Sequence, residues 1–75
     1  MDIRYNVRIC GKQYKNKTVD QILELLERYE NELNKNCRVS VLYIKSEVKY
    51  IKHTVSRSAY YGHDNKIIFS INKCK

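Results

Sequence analysis

Apolar and polar residues alternate at the start of the chain. Ile3, Tyr5, Val7 and Ile9 fall on one side, and Arg4, Asn6, Arg8 and Cys10 on the other, the two-residue period of a half-buried strand over residues 3–10. Gly11 ends it, and 12–17 reads as a polar connection. From Thr18 the period lengthens. Val19, Ile22, Leu23, Leu26, Tyr29 and Leu33 recur at steps of three and four, one stripe of an amphipathic helix over 18–34. Thr18 followed by Gln21 fits a capping box, and Asp20 complements the positive end of the helix dipole.

Alternation then returns. Val39, Val41 and Tyr43 oppose Ser40, Leu42 and Ile44, which reads as a strand over 38–45, and Lys45-Ser46-Glu47 as a turn. A third strand over 48–55 follows, its parity divided between Val48/Tyr50 and Ile51/His53/Val55, as a bulge would allow. Gly62-His63-Asp64-Asn65 is a turn, and 66–72 a fourth strand with Ile67, Phe69 and Ile71 inward. The expected fold is α+β: residues 1–75 form a single small domain in which one amphipathic helix packs on one face of a four-stranded mixed sheet, order β-α-β-β-β. Its first two strands would be parallel through a right-handed crossover.

Charge adds a direction to this picture. The net charge is +7, from 15 basic and 8 acidic residues among 75. The 18–34 segment holds five acids against Arg28 alone, a balance of −4, which leaves +11 on the rest of the chain. An acidic helix on one side of the sheet would leave a basic face on the other. Parity sends Arg4, Arg8, Arg38, Lys49 and Lys66 to that open face. Lys52, and the 57–63 segment with Arg57, Tyr60 and Tyr61, would complete a surface for phosphates and unpaired bases. The same lysines and arginines could equally serve solubility and protect sheet edges.

Little supports catalysis. Cys10, Cys37 and Cys74 are an odd, scattered set that reads as free thiols, and with His53 and His63 they show no metal-ligand spacing. His63-Asp64 could serve a nuclease, but turns commonly carry such residues. Glu24, Glu27 and Glu30 sit at the spacing of a solvated helix face. The expectation is a non-enzyme without metal or cofactor. Met1-Asp2-Ile3-Arg4-Tyr5 begins no apolar run of signal length, and no stretch is long enough to cross a bilayer, so a cytoplasmic protein without membrane contact is expected.

Two functions stay open. The first is a small basic nucleic-acid-binding module that holds DNA or RNA on the open sheet and the 57–63 loop. The second is a small accessory or inhibitory protein that binds a partner protein, such as a host defence or nucleic-acid-processing complex. The Lys-, Asn-, Ile- and Tyr-rich composition suits phage and mobile-element proteins of that kind. A homodimer through a strand edge is compatible with either.

Overall fold

A computed structural model describes residues 3–54 and 57–74. Among these, the order of elements is β1 (Tyr5–Ile9), β2 (Lys12–Lys17), α1 (Val19–Arg28), α2 (Glu30–Asn36), α3 (Val41–Thr54), β3 (Arg57–Tyr61) and β4 (Ile67–Lys73). The four strands form one sheet in the order β2-β1-β4-β3, and every neighbouring pair is antiparallel. The fold is α+β. However, three helices replace the single helix expected, and the sheet is antiparallel rather than mixed, in the order β-β-α-α-α-β-β.

The first correction concerns residues 12–17, which form a strand and not a connection. Ile9 pairs with Lys12 across a two-residue turn in which Cys10 and Gly11 both have positive φ, 49° and 84°. Both signs match a type I′ hairpin, whose twist suits antiparallel strands. The hairpin removes the parallel crossover, because the chain reverses before it reaches the first helix. β2 lies at the edge and buries little, and Tyr14 is its one aromatic.

The second correction concerns 38–54. Of the stretch expected to hold a strand, a turn and most of another strand, Val41–Thr54 is one helix, α3, and 38–40 lead into it. Over 41–50, its buried residues are Val41, Ile44 and Val48, spaced three and four apart, while Leu42 and Tyr43 are exposed. Ser40 starts it: its Oγ accepts from the Tyr43 N–H at 3.2 Å, and its carbonyl accepts from the Ile44 N–H at 3.1 Å. Asn34 Oδ1 takes the Val41 N–H at 3.1 Å, tying α2 to this start. The expected strand end at Val55 lies outside the described residues.

The capping box of α1 is present. Thr18 Oγ1 accepts from the Gln21 N–H at 3.3 Å, and the Thr18 N–H donates to Gln21 Oε1 at 3.0 Å. The expected 18–34 helix is divided at Tyr29 (φ −99°, ψ 13°) into α1 and α2. The Tyr29 and Tyr14 hydroxyls are 2.9 Å apart, joining this break to β2.

The inner sheet face contributes Tyr5, Val7, Ile9, Tyr60, Phe69 and Ile71 to the core. The helices meet it with Ile22, Leu26, Leu33, Val41, Ile44 and Val48. At this chain length such a core is one layer of side chains thick. The turn after β3 is held from both sides. The Gly62 N–H donates to the Lys66 carbonyl at 2.8 Å, and the His63 N–H to the Asn36 carbonyl at 2.9 Å. A Cβ on Gly62 would come within 3.1 Å of both the Asn36 carbonyl and Asp64 Oδ1. All three helices pack on the same side of the sheet, so among the described residues no element covers its other face.

Candidate nucleic-acid interface

The strands contain Arg8, Lys12, Lys15, Lys17, Arg57 and Lys73, and no aspartate or glutamate. Register decides which of these share a face, since directly paired residues of antiparallel strands project to the same side. Tyr5, Val7 and Ile9 turn inward, so Arg4, Asn6 and Arg8 turn outward. Arg8 pairs with Gln13 on β2 and with Ser70 on β4, and Ser70 pairs with Ala59 on β3. The result is a row across the open face: Gln13, Arg8, Ser70, Ala59. A second row, one pleat along, holds Asn6, Asn72 and Arg57. Lys15, two positions after Gln13, extends the face along β2.

Local bonds set the lower row. Asn6 Oδ1 accepts the Asn16 N–H at 3.2 Å and the Cys74 thiol at 3.4 Å. Its acceptor is thus used within the fold, and its remaining hydrogen-bonding capacity is the amide donor. Arg4 Nη1 donates to the Asn16 carbonyl at 3.3 Å, at the irregular β1–β2 register where Asn16 has φ 60°. One amide and one guanidinium therefore brace the bulge while standing on the outer surface.

The rest of the expected basic set is divided among other places. Arg38 lies between α2 and α3, where its N–H donates to the Tyr61 carbonyl at 3.0 Å, and Lys66 lies in the β3–β4 turn. Lys49 and Lys52 are on α3, on the helical side of the sheet, and the Lys52 side chain lies outside what the structure describes. Tyr60 is buried, with its ring centroid 5.7 Å from that of Phe69, and cannot stack on a base. Burial also raises its phenol pKa. Tyr61 is exposed at the end of β3, beyond the register shift that separates it from Tyr60. Arg4, Arg8 and Arg57 are brought together on the sheet; Lys49 and Lys52 are not.

The residues missing from the sequence reading are Gln13, Lys15, Ser70 and Asn72. Strand parity was their only signal: for Ser70 and Asn72 it was available in the expected 66–72 strand, and for Gln13 and Lys15 it needs β2 to be recognised first. The helical layer also differs from expectation, because it carries both signs. Lys45 of α3 lies 3.8 Å from Glu27 of α1. The asymmetry that survives is narrower: the helix side is mixed, and the strands are purely basic.

A shallow depression of about 470 Å³ at the hairpin end is lined by Cys10, Glu32, Asn36, His63, Asp64 and Lys66, among others. One of its carboxylates has a structural duty. Asp64 Oδ1 accepts the Lys66 N–H at 3.0 Å and closes the turn. The Cys10 thiol is pushed up from 9.0 to about 11, first by burial and then by the neighbouring Glu32 carboxylate. Among the described residues, no group of three His, Cys, Asp or Glu is placed to hold a metal ion, and no helix is long and apolar enough to cross a membrane.

No protein-family model matches the sequence, and no curated protein or solved structure matches it either.

Proposed function

We propose that this protein binds nucleic acid on the open face of its sheet. The observation that carries the reading is the charge of that face: Arg4, Arg8, Lys15 and Arg57 stand among amides and hydroxyls, with no carboxylate on any strand. Such a surface offers phosphate oxygens a cationic field and many hydrogen-bond donors. The antiparallel order holds these side chains on a stiff platform, with rows about 7 Å apart along the strands. A solvated sheet serving solubility alone would tolerate scattered glutamates, as α1 and α2 do.

The test compares equal losses of charge on opposite sides. Arg8→Ala/Arg57→Ala and Arg28→Ala/Lys35→Ala each remove two positive charges at exposed positions. The sheet pair is expected to weaken binding to mixed-sequence nucleic acid by about tenfold or more, and the helix pair by much less. Equal effects would mean that only net charge matters.

One observation favours a second reading, a protein partner. On α3, Leu42, Tyr43 and Tyr50 are 75%, 52% and 65% exposed. Ile44 of the same helix is buried and takes no part in the patch. A partner retained by the protein after nuclease treatment, and released by Leu42→Lys, would support this reading.

A further inference from the structure

The geometry points to double-stranded B-form DNA as the ligand of the open face, entered through the major groove. In this arrangement the two central strands meet the bases and the two edge strands meet the phosphate walls. This inference rests on the nucleic-acid reading above and narrows it.

Three properties of the face select the duplex. The first is the lack of a stacking surface. Proteins that hold single strands supply aromatic rings on which bases lie. Here Tyr5, Tyr60 and Phe69 are buried on the inner face, and Tyr14 pairs with inward-facing Val7. The two rows of the open face are built only from Gln13, Arg8, Ser70, Ala59, Asn6, Asn72 and Arg57. No ring interrupts them, and exposed Tyr61 lies outside both rows, at the end of β3 beyond its register shift.

The second property is width. Strands spaced about 4.8 Å apart place β2 and β3 some 14 Å from each other across the sheet. The major groove of B-DNA is about 12 Å wide and admits a two-stranded ribbon. β1 and β4, the central antiparallel pair, have the width of that ribbon. β2 and β3 then lie over the groove's edges, where the backbones run. The A-form major groove is too narrow and deep for side chains to read, so duplex RNA does not fit this mode.

The third property is the sorting of side chains between centre and rim. Asn6 and Asn72 face each other at the centre beside Arg8 and Ser70. Asn72 matches the donor–acceptor edge of adenine, arginine matches guanine, and serine bonds either, while Asn6, whose Oδ1 is taken by Asn16 and Cys74, acts as a donor only. The long cations Lys15 and Arg57 stand on the edge strands, one on each side. They are placed as the two phosphate clamps of one groove.

The test uses fluorescence anisotropy with the full chain and three labelled probes at one salt concentration: a mixed-sequence DNA duplex, an oligo-dT strand, and an RNA duplex of the same sequence. Binding to the DNA duplex is expected to be tighter than to either of the others by about tenfold or more. Methyl green, which occupies the major groove, should displace the protein, and netropsin, which occupies the minor groove, should not. Arg57→Ala should weaken binding to all DNA duplexes alike and lower the salt slope by about one. Asn72→Ala should leave the slope unchanged while flattening the sequence preference recovered from a random duplex pool. Oligo-dT or RNA bound as tightly as the DNA duplex, displacement by netropsin, or the reverse assignment of the two variants would overturn the inference and leave the nucleic-acid reading intact. Failure to bind all three probes would overturn both.

Discussion

Arg8 of β1 stands directly across from Ser70 of β4 at the centre of the open face. The small serine leaves the guanidinium uncrowded and without a cross-strand acid. Opposite charges at such a site attract, adding about 0.2–1 kcal/mol to a sheet. Ser70→Glu should therefore hold or slightly raise the denaturation midpoint while reducing nucleic-acid affinity by about tenfold, since it occupies Arg8 and adds repulsion. Paired unfolding and binding measurements check this. Lost stability together with lost binding would point to a damaged fold.

The β1–β2 turn separates backbone strain from crowding. Gly11 has φ 84°, yet a Cβ there would meet nothing within 4 Å. Gly11→Ala should cost about 1 kcal/mol or somewhat more through the left-handed backbone alone, measured by urea denaturation. Gly11→Asn should cost less, because asparagine accepts this conformation.

Cys10 carries a pH signature. With its pKa raised from 9.0 to about 11, the thiol stays neutral in the folded chain where it would ionise in the unfolded one. Its contribution to stability is whole below pH 9, and it declines as pH rises toward about 11. Near pH 9, alkylation of Cys10 should run roughly ten- to a hundredfold slower in the folded than in the urea-unfolded protein, followed by mass spectrometry of its peptide. Glu32→Gln should accelerate it by removing the neighbouring charge, while burial keeps part of the shift.

Tyr5 is completely buried, and its hydroxyl has no hydrogen-bond partner among the described residues. An unsatisfied buried hydroxyl costs about 1–3 kcal/mol, so Tyr5→Phe should stabilise the protein or leave it unchanged. A loss of more than about 1 kcal/mol in urea denaturation would reveal a bond to this oxygen.

What the sequence disclosed follows from how each segment is buried. β1 and β4 have one face in the core and one in solvent, so alternation exposes them; α1 announces itself through its stripe and its capping box. β2 escapes because an edge strand with Tyr14 as its main inward contact has no apolar rhythm, and because Cys-Gly is not the usual Asn-Gly hairpin pair. α3 misleads because Val39, Val41 and Tyr43 alternate and favour strands, although Val41, Ile44 and Val48 carry the helical spacing and Ser40 supplies its cap. Tertiary burial decided between the two periods. At the interface, Arg4 and Arg8 could be placed from their own strand, whereas Arg57, read as part of a 57–63 loop, stands on β3. Asn72 was open to the same parity argument on its own strand, while Gln13 and Lys15 were hidden because β2 was not recognised.

The central claim is that the uncovered sheet face, and not the helical layer, meets the ligand. Its most direct test is a titration of isotope-labelled protein with a DNA duplex, followed by amide and side-chain NMR shifts. The expected changes concentrate on Asn6, Arg8, Gln13, Arg57, Ser70 and Asn72, with α1 and α3 nearly silent. Shifts centred on Leu42, Tyr43 and Lys49 of α3, with the sheet unchanged, would contradict it.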